Sequence, residues 1–230
     1  TEARRVTPAG VSSSTRAVFA AGLASSGKIP FASTFAIFTE RGFEQIRNGI
    51  ARPGLNAHIC GSHGGIHTGS DGSSAQSIED LAIYRTLPNM TVIHPSDDLS
   101  AEELTMQLVN LDGPSYMRTI RNKVQRTYDA KTKENIKIGK GNVIKSGDDV
   151  AIVACGVMVS KSIEAAKILN DEGIKVTVID MHTIKPLDTE LIDSISSKCK
   201  CIVTAEDHSV IGGLGSAIAE HNSKTNLVPI

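Results

Sequence analysis

Short apolar runs of strand length alternate along this chain with longer stretches whose apolar positions repeat at helical spacing. The run AVFAAGLA within residues 14–26 predicts a helix ended by Gly27, and residues 29–35 then read as a short strand. Phe43, Ile46 and Ile50 share one face of a predicted helix over residues 39–48. Residues 56–61 read as a strand entering a glycine-rich segment, 61–72, where small residues let backbone N–H groups approach a ligand. A helix over residues 77–86 follows, with Glu79 and Asp80 near its start, where acidic groups suit the helix dipole. The alternation continues as a strand at 90–94, a helix at 100–111 and a strand at Ser115–Arg118.

Residues 122–135 are polar and charged without periodicity and read as a linker. Beyond them the pattern gives strand Val150–Ala154, a helix at 160–170 stopped by Gly173, and strand Val176–Asp180. Helix Thr189–Ser196, a strand at 202–205 and a helix at 213–220 opening on a glycine-rich turn complete it. Strands alternating with helices predict an α/β protein with two doubly wound parallel-sheet domains. Their expected extents are residues 1–121 and 139–230, joined by a linker at 122–138.

Composition narrows the function classes. A chain of 230 residues can bury a core in each of two domains. The net charge of −1, an aromatic content of 3% and the absence of Trp leave no basic, stacking surface for nucleic acid, and no charge to draw the chain to an anionic membrane. No apolar run approaches the roughly 20 residues of a membrane span, and TEARRVTPAG lacks the apolar centre of a signal peptide. Cys60, Cys155, Cys199 and Cys201 are too few for a disulfide framework, so reduced thiols in a cytoplasmic protein are expected. Cys199-Lys200-Cys201 has no second pair or suitable His to complete a zinc site.

Four blocks carry more specific information. FASTFAIFTERGFEQIRN begins at Phe31, and GSHGGIHTGSDG, SIEDLAIYRTLPNMTVIHPSD and GPSYMRTIR follow it in order to Arg121. In kind, order and spacing they resemble the pyrimidine-binding domain of the transketolase family of thiamine diphosphate enzymes. The likeness is closest to the separately encoded C-terminal half of a transketolase. It continues through DVAIVACGVMVSKSIEAAKILNDEGIKVTVIDMHTIKPLD and IVTAEDHSVIGGLGSAIAE, which resemble the family's C-terminal domain. By the same likeness both domains are cut at the chain ends. About one strand and one helix are missing before the first domain, and LVPI reads as the opening of a lost final strand.

The resemblance implies a site. Phe35 and Phe38 match the aromatics that pack on the cofactor's pyrimidine ring, whereas spacing alone would make them core residues at a strand end. Arg41 and Gln45 match positions near the cofactor and the subunit interface, and either role is open for both. His63 and Asp71 match residues that meet the sugar substrate's hydroxyls and carbonyl end, His63 with a catalytic proton-shuttling role. Arg121 matches the binder of the sugar phosphate, a task suited to paired guanidinium donors; Arg118 is a weak candidate beside it.

The family's catalytic acid is a glutamate just before an A-A-G-L-A helix. Here Ala20-Ala21-Gly22-Leu23-Ala24 follows Gly10-Val11-Ser12-Ser13-Ser14-Thr15, which places Ser13 at that position. A hydroxyl cannot protonate the ring as a carboxylic acid does. An altered N-terminal sequence, an inactive relative, and an enzyme with a substitute acid are the three readings. No Asp or Glu lies between Glu2 and Glu40. Ser70 and Ala75 also replace a Glu and a His found in many members, and His67 has no role beyond an exposed loop.

The implied function is that of a transketolase C-terminal component, moving a two-carbon ketol unit between sugar phosphates. An N-terminal partner would hold the diphosphate and a divalent metal such as Mg, since no GDG…N run is present in this chain. Thiamine diphosphate would be shared across a dimer to which the predicted helices at 39–48 and 77–86 contribute. Glu206-Asp207-His208 and the Gly212–Gly215 turn are expected to serve dimer packing. Deoxyxylulose-phosphate synthase, the beta subunits of two-oxoacid dehydrogenases and a non-catalytic subunit are the alternatives.

Overall fold

The computed structural model describes residues 12–225, so Glu2 and the strand-like LVPI lie outside the described residues. Helix α1, Ser13–Ser25, starts where the Ser12 side chain accepts from the Thr15 amide, and it buries Ala17 and Ala20. Strand β1, Phe31–Phe35, leads into a segment predicted as one helix but built from two, α2 at Ala36–Glu40 and α3 at Phe43–Ile46. A π-helical turn, Arg47–Ala51, continues α3. Gly42 marks the break, since a Cβ there would meet the Ser13 carbonyl oxygen at 3.2 Å. Glycine lets the first turn of α1 settle against the α2–α3 junction.

The remaining elements of the first half are β2 (His58–Ser62), α4 (Asp80–Arg85), β3 (Thr91–Ile93), α5 (Asp98–Leu108) and β4 (Ser115–Arg118). The second half contains β5 (Asn142–Lys145), β6 (Val150–Ala154), α6 (Met158–Asp171), β7 (Val176–Asp180), β8 (Thr183–Lys185), α7 (Thr189–Ser196), β9 (Cys201–Ala205) and α8 (Leu214–Thr225).

Two sheets result, in the orders β1-β2-β4-β3-β8 and β5-β7-β6-β9. Both are mixed rather than wholly parallel: β8 pairs antiparallel with β3, and β5 antiparallel with β7. Neither edge strand was expected. β8 has three residues, too few to show alternation, and β5 lies just after a polar stretch that masks it. β8 also crosses between the halves, because it comes from the second half of the chain and closes the first sheet.

The segment at 122–138 is packed down rather than free. Tyr128 and Ile136 are buried with Ile93, Leu104, Leu108 and Met117. Asp97 accepts from the Thr127 and Tyr128 amides. The Tyr128 hydroxyl and Ser96 Oγ both donate to the buried Asp180 carboxylate, at 2.8 and 2.7 Å. The largest apolar core is also shared, joining Leu81, Tyr84 and Tyr116 to Met181, Ile184, Leu214 and Ile218.

Candidate active site

Because β1, β2 and β4 run parallel, their carboxyl ends meet at one edge, the usual ligand side of an open α/β sheet. Phe35 ends β1 opposite Ser62, the last residue of β2, and His63 follows directly. The backbone of His63 takes a left-handed conformation, with φ at 61°, as its chain leaves the sheet. Its ring stacks on Phe35 with centroids 3.8 Å apart. Phe35 in turn lies parallel to Phe38, 5° between planes and 5.3 Å between centroids. The Arg41 guanidinium lies over Phe38 at 5.3 Å from the ring centre, a cation–π distance.

A charged cluster faces this shelf from the glycine-rich loop. Asp71 Oδ2 lies 3.9 Å from His63 Nε2, too long for a hydrogen bond. Arg121 reaches Asp71 Oδ1 at 3.2 Å and donates to Ser70 Oγ at 2.5 Å. Ser70 therefore occupies part of the Arg121 fork. The loop is tied to itself where Thr68 Oγ1 donates to the His63 carbonyl at 2.7 Å.

Two further candidates lie apart from the rings. Ser13, in the first turn of α1, borders a cavity of about 20 Å³ with Arg16, Thr34 and Thr39. Thr34 and Thr39 flank Phe35 and Phe38 in sequence, which ties Ser13 to the same end of the sheet. Gln45 donates to Glu44 at 2.8 Å, while its own Oε1 is buried without a partner. Phe35, Phe38, Arg41, His63, Asp71 and Arg121 thus come together, with Ser13 and Gln45 on the neighbouring helices α1 and α3.

The support beneath the loop was not legible in the sequence. Asp80, expected near a helix start where it suits the dipole, is fully buried and pairs with Arg118 Nε at 3.3 Å. It also accepts from the Tyr116 hydroxyl at 2.6 Å. The two remaining guanidinium nitrogens of Arg118 donate to the Asp207 and Ser77 carbonyls, at 2.8 and 2.9 Å. Arg118 is therefore an internal strut, and this partnership offsets the large cost of burying its charge. Ser77 also donates to Glu40, whose carboxyl burial pushes up to about 7. His67 is half-buried, its amide bound to Asp207 and its carbonyl to Asn122. These partners lie tens of residues apart, so no local pattern announces them. Among the described residues, no group of three or more His, Cys, Asp or Glu could hold a metal ion.

An aromatic shelf and a charged loop thus meet at the carboxyl edge of a parallel-dominated sheet in an α/β protein. Models of the transketolase pyrimidine-binding domain and the transketolase C-terminal domain match residues 1–127 and 139–228. The chain belongs to the transketolase family. It is 42% identical over 213 residues to a putative transketolase C-terminal section from Methanocaldococcus jannaschii, covering 92% of this chain and 66% of that protein. It is 38% identical to a 6-deoxy-6-sulfo-D-fructose transketolase subunit from Clostridium sp. (strain MSTE9), covering 98% of this chain and 70% of the relative. A solved structure described as a split gene transketolase, inactive beta4 tetramer, superposes with a TM-score of 0.89 at 44% identity, covering 96% of this chain and 70% of that one. The chain thus spans about two thirds of the length of these relatives.

Proposed function

We propose that this chain is the C-terminal component of a split thiamine diphosphate-dependent transketolase, working with an N-terminal component on sugar phosphates. The observation that carries the reading is the parallel Phe35–Phe38 pair, set beside a loop that brings His63, Asp71 and Arg121 to the same edge. A flat heterocycle fits such a pair, because offset stacking on an aromatic face is favourable. When bound, thiamine diphosphate would supply the nucleophilic carbon for ketol transfer, its diphosphate and a divalent metal such as Mg being held by the partner.

This chain's own residues have narrower tasks. Phe35 and Phe38 orient the pyrimidine ring and keep water from its face. His63 and Asp71 hydrogen-bond the sugar hydroxyls, and His63 shuttles a proton at its Nε2, with a proton-transfer group typically contributing about a hundredfold or more. Arg121 binds the phosphate once it turns from Ser70. Ser13 supplies a neutral hydroxyl where the family pattern has an acid, so ring binding should persist while turnover stays slow. The description of the solved relative as an inactive tetramer of one component supports the view that this chain alone self-associates and is idle.

The test uses this chain mixed with its N-terminal component. Ser13→Glu is expected to raise the rate of ketol transfer on the order of a hundredfold while changing cofactor affinity little. Full-speed turnover by the unmodified complex would show that Ser13 does not occupy the acid's position. A variant that binds cofactor and stays inert would favour a non-catalytic subunit.

A further inference from the structure

Asp207 lies just beyond β9, after Glu206, in the second half of the chain, yet its side chain works in the first half. Its Oδ1 accepts from the Ile66 amide at 3.0 Å, and its Oδ2 from the His67 amide at 3.1 Å. These amides open a short 3-10 turn, Ile66–Thr68, midway between His63 and Asp71. Asp207 is 8% exposed, so the carboxylate itself is buried while the loop it holds is partly open to water. Such charge-assisted bonds are among the stronger ones available to a backbone.

The contact is built from both sides. Gly65 has φ at +78°, and a Cβ there would lie 2.0 Å from Asp207 Oδ2. Only glycine lets the loop close on the carboxylate. The turn bearing Asp207 is itself fixed at three points. Glu206 accepts from the Leu214 and Gly215 amides at 2.8 and 2.9 Å, Ser209 donates to the Ile78 carbonyl at 2.8 Å, and Arg118 grips the Asp207 carbonyl.

We infer that Asp207 is a positioning residue: its carboxylate clamps the glycine-rich loop from the second half of the chain and so sets where His63 and Asp71 meet the substrate. Resting on the proposed transketolase function, this gives the Glu206-Asp207-His208 turn a part in the site beyond packing. Loss of the clamp acts on substrate binding through the loop, and leaves the Phe35–Phe38 shelf, carried by β1 and α2, unchanged.

Asp207→Asn keeps the shape and puts an amide N–H₂ against one of the two donors. Gly65→Ala attacks the same contact from the loop side. Amide exchange is read on the full chain alone, and kinetics on the chain with its N-terminal component. In both variants the Ile66 and His67 amides are expected to exchange roughly tenfold faster or more while the strand amides keep their rates. The KM for sugar phosphate should rise roughly tenfold, and kcat should fall with it as His63 shifts from its proton-transfer position. Unchanged exchange at those amides, or acceleration spread through both sheets, would overturn the clamp. Local loosening with unaltered KM would overturn its link to substrate. A wild-type complex without ketol transfer would remove the functional reading, and the exchange data would still decide whether Asp207 holds the loop.

Discussion

The Asp180 carboxylate rests on two neutral donors, Ser96 and Tyr128, in a fully buried site. Burial pushes its carboxyl up from the ordinary 3.8 to about 7, and the nearby Asp97 pushes the same way. A carboxyl whose folded value is raised contributes stability that is complete below about pH 4 and lost as pH rises through about 7. The half-buried Glu40 has the same sign. Urea titrations at pH 5 and pH 8 should therefore show the wild type losing on the order of 2 kcal/mol relative to Asp180→Asn. Parallel pH profiles for the two proteins would rule this out. At this scale the sequence was uneven. Phe35, Phe38 and His63 could be grouped because a motif holds them at fixed spacing. The burial of Asp80, Arg118, Asp180 and Asp207 was not legible, since a charge is kept inside only by partners remote in sequence.

Asp97 shows how one side chain can serve two elements. Its Oδ1 accepts from the Ser100 amide, forming a capping box that starts α5. Its Oδ2 takes the Thr127 and Tyr128 amides, at 2.8 and 2.9 Å. Asp97→Ala should cost about 2–3 kcal/mol in urea unfolding, the sum of a lost cap and stranded buried donors. A loss under about 0.5 kcal/mol, the range of ordinary surface substitutions, would mean that water replaces both. Elements with strong periodicity, such as Val150–Ala154, Val176–Asp180 and Thr189–Ser196, match their sequence expectation. The predicted helix at 39–48 splits because Gly42 is needed for a close approach that no helical period encodes.

At the scale of the molecule, the alternation of strands and helices revealed two sheets but not their mutual dependence. One apolar core runs from Ala17 and Tyr84 into Leu214 and Ile218, and β8 closes a sheet built by the other half. Urea unfolding followed by tyrosine fluorescence and by far-UV circular dichroism should give one coincident transition. Two separated transitions would show halves that fold independently. The sequence could not reveal this sharing, because β8 follows β7 after two residues and nothing local indicates that it pairs elsewhere.

The pairing of Val92 with Lys185 also imposes an order in time. β3 leaves the ribosome long before its edge partner is made. At about 5–20 residues per second, the roughly ninety intervening residues take several seconds to synthesise. Throughout that interval the nascent first sheet presents an open strand edge able to pair with any neighbouring chain. Closure of that edge therefore waits for three residues of the second half.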